Sequence, residues 1–139
     1  MALDPSHPKF AHVNERLSAE PIIWLSSVRP DGRPHLVPVW FLWDGTSLTI
    51  FSQPNNQKIR NLRANPNVCL ALEAANEGED VGILEGTATF ISMDAAADIL
   101  PQYREKYAKS IADMGWTPET MMASYSQPIR VTPTKLIAW

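Results

Sequence analysis

The sequence predicts a mainly β fold, six antiparallel strands curled into one small barrel with flanking α-helices. Three observations carry this reading. Six segments are rich in β-branched and aromatic residues. Asp-Gly turns, in "RPDGR" and "WDGT", join the first three of them. The six have little room between them, and closing them into a barrel would remove exposed sheet edges.

In chain order, "PKFAHVNERL" places Phe10, Val13 and Leu17 at helical spacing and opens the chain as a short helix. "PIIWLSSV" reads as the first strand, "RPDGR" as its turn and "PHLVPVWFLW" as the returning strand. A second turn, "DGT", leads into "SLTIFS", so three strands form a meander. Pro38 interrupts the second of them. Having no N–H, it marks an edge, a bulge, or a place where something other than a neighbouring strand faces the backbone. "SQPNN" supplies turn and N-cap residues before a helix at "QKIRNLRA". "NVCLALE" and "VGILEGTATFI" are two further strands separated by the acidic loop "AANEGED". Residues 94–124 are helical in character, with Ile99, Tyr103 and Tyr107 forming one stripe suited to covering the end of a barrel, and "PIRVTPTKLIAW" is the last strand.

The 139 residues fit a single domain, 1–139, large enough for a real core. Hydrophobic content of 45% with 19% charged residues is that of a globular protein. No apolar run approaches a membrane span, and "MALDPSHPKF" lacks the apolar centre of a signal peptide, which predicts a cytoplasmic protein. Cys69 is the single cysteine, so no internal disulfide forms, and "NVCLAL" reads it as a core residue. Neither Cys69 nor the scattered His7, His12 and His35 show metal-ligand spacing. A net charge of -3 and a pI near 5.5 argue against nucleic-acid binding.

Charge is nonetheless uneven. Arg29, Arg33, Lys58, Arg60 and Arg63 lie in one stretch with two acids, whereas residues 73–85 carry five acids and no Lys or Arg. On the predicted helix Ile59 and Leu62 share an apolar face, Arg60 and Arg63 another, and Lys58 borders the first. The unpaired N–H groups and dipole of a helix start beside Asn55 to Lys58 suit a phosphate; the same pattern also fits a solvated surface face.

The series "SSVRPDGRPHLVPVWFLWDG", "IFSQPNNQKIRNLRANPNVCLAL" and "LEGTATF" resembles the split β-barrel family that includes pyridoxamine 5'-phosphate oxidase and the coenzyme F-420 (deazaflavin)-dependent reductases. The likeness runs from about Pro21 to Phe90 and resumes in the last strand. "QKIRNLRANPNVCL" looks closer to the small F-420 or FMN members than to the vitamin oxidase. The resemblance implies an FMN-binding type of six-stranded split barrel, a homodimer, and two cofactor sites at the subunit interface. It places the cofactor ring and chain along His35, Leu36, Val37 and Pro38, with Phe51 and Ser52 flanking the chain and phosphate. Asn56, Gln57 and Lys58 would grip the phosphate. Gln57 stands where the oxidase commonly has arginine. Arg60 and Arg63 would lie outward, within reach of an F-420 polyglutamate tail, and Trp139 matches a cofactor-contacting tryptophan.

The implied activity is hydride transfer between bound FMN or F-420 and a small planar organic acceptor, and not pyridoxamine phosphate oxidation itself. The cofactor would carry the chemistry, and no catalytic residue is assigned. A non-catalytic flavin- or haem-binding carrier of the same fold is the alternative.

Overall fold

The computed structural model describes residues 3–139. Turn chemistry fixes its first two hairpins. Gly32 (φ 90°) lets β1 (Ile23–Val28) turn into β2 (Pro34–Val39), and Gly45 (φ 98°) lets β3 (Leu42–Trp43) turn into β4 (Leu48–Ser52). Asp44 reinforces the second turn by accepting from the Thr46 and Ser47 amides at 2.9 and 2.8 Å. Helix α1 (Phe10–Ala19) precedes this pair of hairpins. Helix α2 (Gln57–Ala64), β5 (Asn67–Leu72), β6 (Gly82–Phe90), α3 (Leu100–Asp113), α4 (Pro118–Ser124) and β7 (Gln127–Ala138) follow.

All strands pair antiparallel in one sheet of order β2-β1-β5-β6-β7-β4-β3. Seven strands form, not the six expected, because "PHLVPVWFLW" is two strands. Val39 is the last residue paired to β1, opposite Ile23, and Leu42 is the first paired to β4, opposite Thr49. The chain leaves one edge at Trp40 and Phe41 and joins the other. The expected meander therefore does not form, since β4 pairs with β3 and β7 and not with β2. Closure is also incomplete. β2 and β3 are the two ends of the ladder, so the sheet is a curled half-barrel bridged by chain, not by hydrogen bonds, with β2 left as an edge that tolerates Pro38.

The Trp40–Phe41 corner takes its backbone partners from α3. The Phe41 N–H donates to Tyr107 Oη at 2.9 Å, and Lys106 Nζ donates to the Phe41 carbonyl at 2.9 Å. The Tyr107 hydroxyl in turn donates to the Pro21 carbonyl at 2.7 Å. The Trp40 ring stacks on Tyr107 with centroids 4.4 Å apart and planes 3° from parallel.

Alternation along the strands builds two cores. Ile23, Leu25, Leu48, Ile50, Leu70 and Ile129 fill the interior of the curl with Val13 and Leu17 of α1. On the outside, Leu42 and Phe51 pack against Tyr103, Tyr107, Ile111 and Met121 of α3 and α4. Strand β4 is buried on both faces because it separates the two. Helix α2 plugs one end of the curl through Asn61, fully buried, which donates to Ser27 Oγ at 3.0 Å. At the bulge between Glu85 and Gly86, a Cβ on Gly86 would strike the backbone of Thr132 and Pro133, so only glycine lets β6 and β7 approach there. Cys69 differs from its expected place in the core. It lies half-buried on the outward face of β5, paired across the ladder with the exposed Glu85. No helix among the described residues is long and apolar enough to cross a membrane.

Tyr107→Phe removes the partners of the Phe41 amide and the Pro21 carbonyl while keeping the ring stack. It is expected to lower unfolding stability by about 1–3 kcal/mol, measured by urea denaturation with an unchanged m-value.

Candidate functional site

Where β2, the end of β4, the turn after it and the α3–α4 pair meet, they enclose a cavity of about 360 Å³. Its walls differ in chemistry. Gln53, Asn56 and Lys58 line one side; Trp40, Phe51, Tyr103, Met121 and Tyr125 line the other, with Met114 and Trp116 at the partly exposed mouth. The polar wall is the strand-turn-helix unit of β4 and α2. Asn56 is the extended N-cap of α2, yet its side chain caps nothing and instead reaches back to Ser52 Oγ at 3.2 Å. Ser52 is fully buried and its hydroxyl donates to the Gln53 carbonyl at 2.8 Å. The first N–H groups of α2 thus keep no side-chain cap, and the positive end of its dipole faces the turn.

Three nitrogen-bearing side chains are linked electrostatically near this unit, and of them Lys58 lines the cavity whereas Arg29 and the expected His35 do not. Lys58 is half-buried, and burial lowers its pKa. His35, on β2, has its pKa lowered first by burial and then by the positive charges of Arg29 and Lys58. Both Arg29 Nε and His35 Nδ1 are buried and have no hydrogen-bond partner among the described residues. Two cations acting on one half-buried imidazole, with Arg29 Nε an unused donor, form a place that an anion would stabilise. The sequence counts Arg29 in the basic stretch but does not assign it to the cofactor site, since "RPDGR" reads as a turn. The hairpin register, Ser27 opposite His35 and Val28 opposite Pro34, carries the signal, since it sets Arg29 beside His35 at one sheet corner.

The structure brings together only part of the expected set. Pro38, Phe51, Asn56 and Lys58 line the cavity, and Ser52 lies beneath it, bonded to Asn56. Leu36, 60% exposed, points away from the interior, whereas Val37 packs on the inner core. The Gln57 side chain is committed within α2, donating to Asn61 Oδ1 at 2.8 Å and accepting from Arg60 at 2.7 Å. Arg60 also donates to the Asn55 carbonyl at 2.8 Å, and the Arg63 guanidinium sits 5.5 Å from the Phe90 ring centroid; both lie outside the cavity. Trp139 is distant from it, at the opposite end of β7 from Gln127. There its Nε1 donates to the Gly78 carbonyl at 2.8 Å and its backbone pairs with Val81. Among the described residues no cluster of His, Cys, Asp and Glu could hold a metal ion. Of the apolar wall the sequence points only to Phe51; Trp40, Tyr103, Met121 and Tyr125 lie outside the expected set.

A family profile described as pyridoxamine 5'-phosphate oxidase matches residues 10–139. No curated protein sequence matches the chain. Among solved structures, an F-420 reductase is 26% identical, with 88% of this chain and 94% of that one aligned at a TM-score of 0.67. A conserved hypothetical protein from Mycobacterium tuberculosis is 23% identical over 93% of this chain and 82% of its own, at a TM-score of 0.76. The haem storage protein HutZ from Vibrio cholerae is 18% identical over 99% of this chain and 95% of its own, at 0.70. The last two likenesses are of fold.

In the ligand-free protein His35 is expected to titrate below the ordinary value of 6.5. Adding inorganic phosphate should raise that midpoint by supplying a negative partner, and Lys58→Ala should raise it by removing a positive one. NMR titration of the His35 ring, identified by its loss in His35→Gln, reads both; a midpoint unmoved by either change would separate His35 from Lys58 electrostatically.

Proposed function

Because this chain belongs to the pyridoxamine 5'-phosphate oxidase family, we propose that it is an oxidoreductase whose bound FMN or coenzyme F-420 exchanges hydride with a small planar organic acceptor. One observation carries the reading. Lys58 and Asn56, at the start of α2, line an aromatic cavity, and the charges of Lys58 and Arg29 both act on His35, whose Nδ1 is unpartnered like Arg29 Nε. These residues fit a phosphate-bearing cofactor. Lys58, His35 and Arg29 would hold the phosphate with the α2 N–H groups. The free edge of β2 from Leu36 to Pro38 would lie along the ring, and Phe51 would flank it. The cofactor supplies the hydride chemistry when bound; the chain positions it and excludes water. Phe51 and Trp40 make one wall dry, while the mouth beside Trp116 admits the acceptor.

The cavity's volume lies toward the lower end of the 300–1,000 Å³ usual for ligand sites, which supports a homodimer whose second copy completes the enclosure. Trp139 would join a cofactor site only from that second copy, given its place at the far end of β7. A cytoplasmic setting suits a chain with one free cysteine.

Lys58→Ala should weaken FMN or F-420 roughly ten- to hundredfold, corresponding to a lost charge-assisted contact of about 1.5–3 kcal/mol, with the stability of the empty protein nearly unchanged. Mass spectrometry of what the purified protein captures from a mixture of FMN, F-420 and haem names the cofactor, and titration measures the loss. Equal affinity in Lys58→Ala would sink the phosphate assignment. Capture without turnover of quinone, nitro or enone acceptors would instead support the carrier reading.

Arg63→Ala should weaken F-420 more than FMN, because only F-420 extends an anionic tail past the phosphate. That difference should shrink as salt screens an exposed contact. Titrations of both ligands at two salt concentrations test it, and light scattering at micromolar protein tests the dimer.

A further inference from the structure

Tyr103 and Tyr107 are consecutive members of one α3 stripe, each 1% exposed, yet their hydroxyls have opposite fates. Tyr107 Oη is fully used at the strand corner. Tyr103 is one of the residues that line the cavity, and its Oη is buried with no hydrogen-bond partner among the described residues. A buried hydroxyl without a partner is costly, and a phenylalanine would fill the same ring position without that cost. The ring itself is well held, edge-on to Phe51 at 4.6 Å and tilted on Tyr107 at 5.0 Å. The hydroxyl is therefore the part of Tyr103 that packing does not explain.

Its surroundings define what could use it. The nearby wall consists of Trp40, Met121 and Tyr125, with Trp116 edge-on to Tyr125 at 6.2 Å, and carries no ionised group; the cation of the cavity, Lys58, belongs to the opposite polar wall. Aromatic rings and a methionine sulfur favour a flat, uncharged molecule. Burial, together with the neighbouring Tyr107 and Tyr125 hydroxyls, raises the pKa of Tyr103, so the group stays protonated and able to donate.

We infer that the aromatic wall is the acceptor subsite, and that Tyr103 Oη donates a hydrogen bond to a carbonyl-type oxygen of a flat, uncharged substrate. The inference rests on the proposed function for the meaning of "acceptor", but the binding it describes stands apart from any cofactor. Tyr103 would set specificity by rejecting an isosteric molecule that lacks the oxygen, as buried polar groups do when left unpaired.

The test compares 2-acetylnaphthalene with 2-ethylnaphthalene, a matched pair in which a carbonyl replaces a methylene. Both are titrated into cofactor-free wild type and Tyr103→Phe by tryptophan fluorescence. Wild type should prefer the ketone, Tyr103→Phe should lose about tenfold in ketone affinity, and the hydrocarbon should bind both proteins equally. The carbonyl stretch of the bound ketone should lie at lower wavenumber in wild type than in the variant. Tyr103→Phe should also be at least as stable as wild type, since the hydroxyl it removes has no partner.

Equal ketone affinity in the two proteins, or clear destabilisation by Tyr103→Phe, would overturn the inference. So would a loss of FMN or F-420 affinity in Tyr103→Phe, which would assign the hydroxyl to the cofactor. Tyr103-dependent ketone binding in a protein that captures neither cofactor would leave this subsite standing and sink the proposed function instead. Lys58-dependent cofactor binding with Tyr103-independent ketone binding would do the reverse.

Discussion

The backbone of Phe41 has no strand to pair with, and the rest of the architecture depends on how that deficit is met. A curled sheet whose first hairpin sits at one edge and whose second sits at the other needs a residue that leaves one ladder before it reaches the next. Phe41 is that residue, and Tyr107 and Lys106 of α3 satisfy its amide and carbonyl. Two buried backbone groups left unpaired would together oppose the corner by a few kcal/mol, a large fraction of the stability of a chain this size. Helix α3 is thus a structural partner of the sheet. Its fixed position on the outer face of β3 and β4 is what creates a second core, and the cavity is the gap that this core leaves beside β2.

The polar wall depends on a different anchor. Asn61 is buried to the point of zero exposure and ties α2 to Ser27 while accepting from Gln57. This fixes the rotation of α2 about its axis, so Lys58 faces the cavity and Arg60 with Arg63 face outward. The cations of an acidic chain are therefore sorted by one buried amide. Arg60 and Arg63 find neutral partners in a carbonyl and an aromatic ring. Lys58 and His35 remain close together with no acid beside them, which is where a bound anion has the most to offer.

Local signals were legible in the sequence wherever a short segment decides its own conformation. The Asp-Gly turns, the stripe of Phe10, Val13 and Leu17, and the polar turn leading into "QKIRNLRA" all depend on neighbours within a few residues. The strand count was not legible, because "PHLVPVWFLW" is β-rich throughout and nothing between Val39 and Leu42 marks the corner; its cause, Tyr107, is 66 residues away. Cys69 misled for a related reason. Alternation identifies the two faces of β5, but which face is covered depends on α1 and α2 plugging the interior of the curl. At the site, Lys58 and Pro38 were found through charge and proline chemistry, which are local. Arg29 required a hairpin register, and the apolar wall required knowing where α3 and α4 dock.

The pair Tyr103 and Tyr107 shows how one sequence pattern can carry two unrelated roles. A tyrosine stripe four residues apart predicts a buried face, and both rings are buried as that predicts. Their hydroxyls differ because α3 meets the corner at Tyr107 and the cavity at Tyr103, four residues or about 6 Å along the helix axis. The same helix therefore ends the sheet's unmet hydrogen bonds at one level and leaves one of its own unmet at the next. The unmet donor belongs to a residue that lines the cavity, and the inferred ligand oxygen is what would meet it.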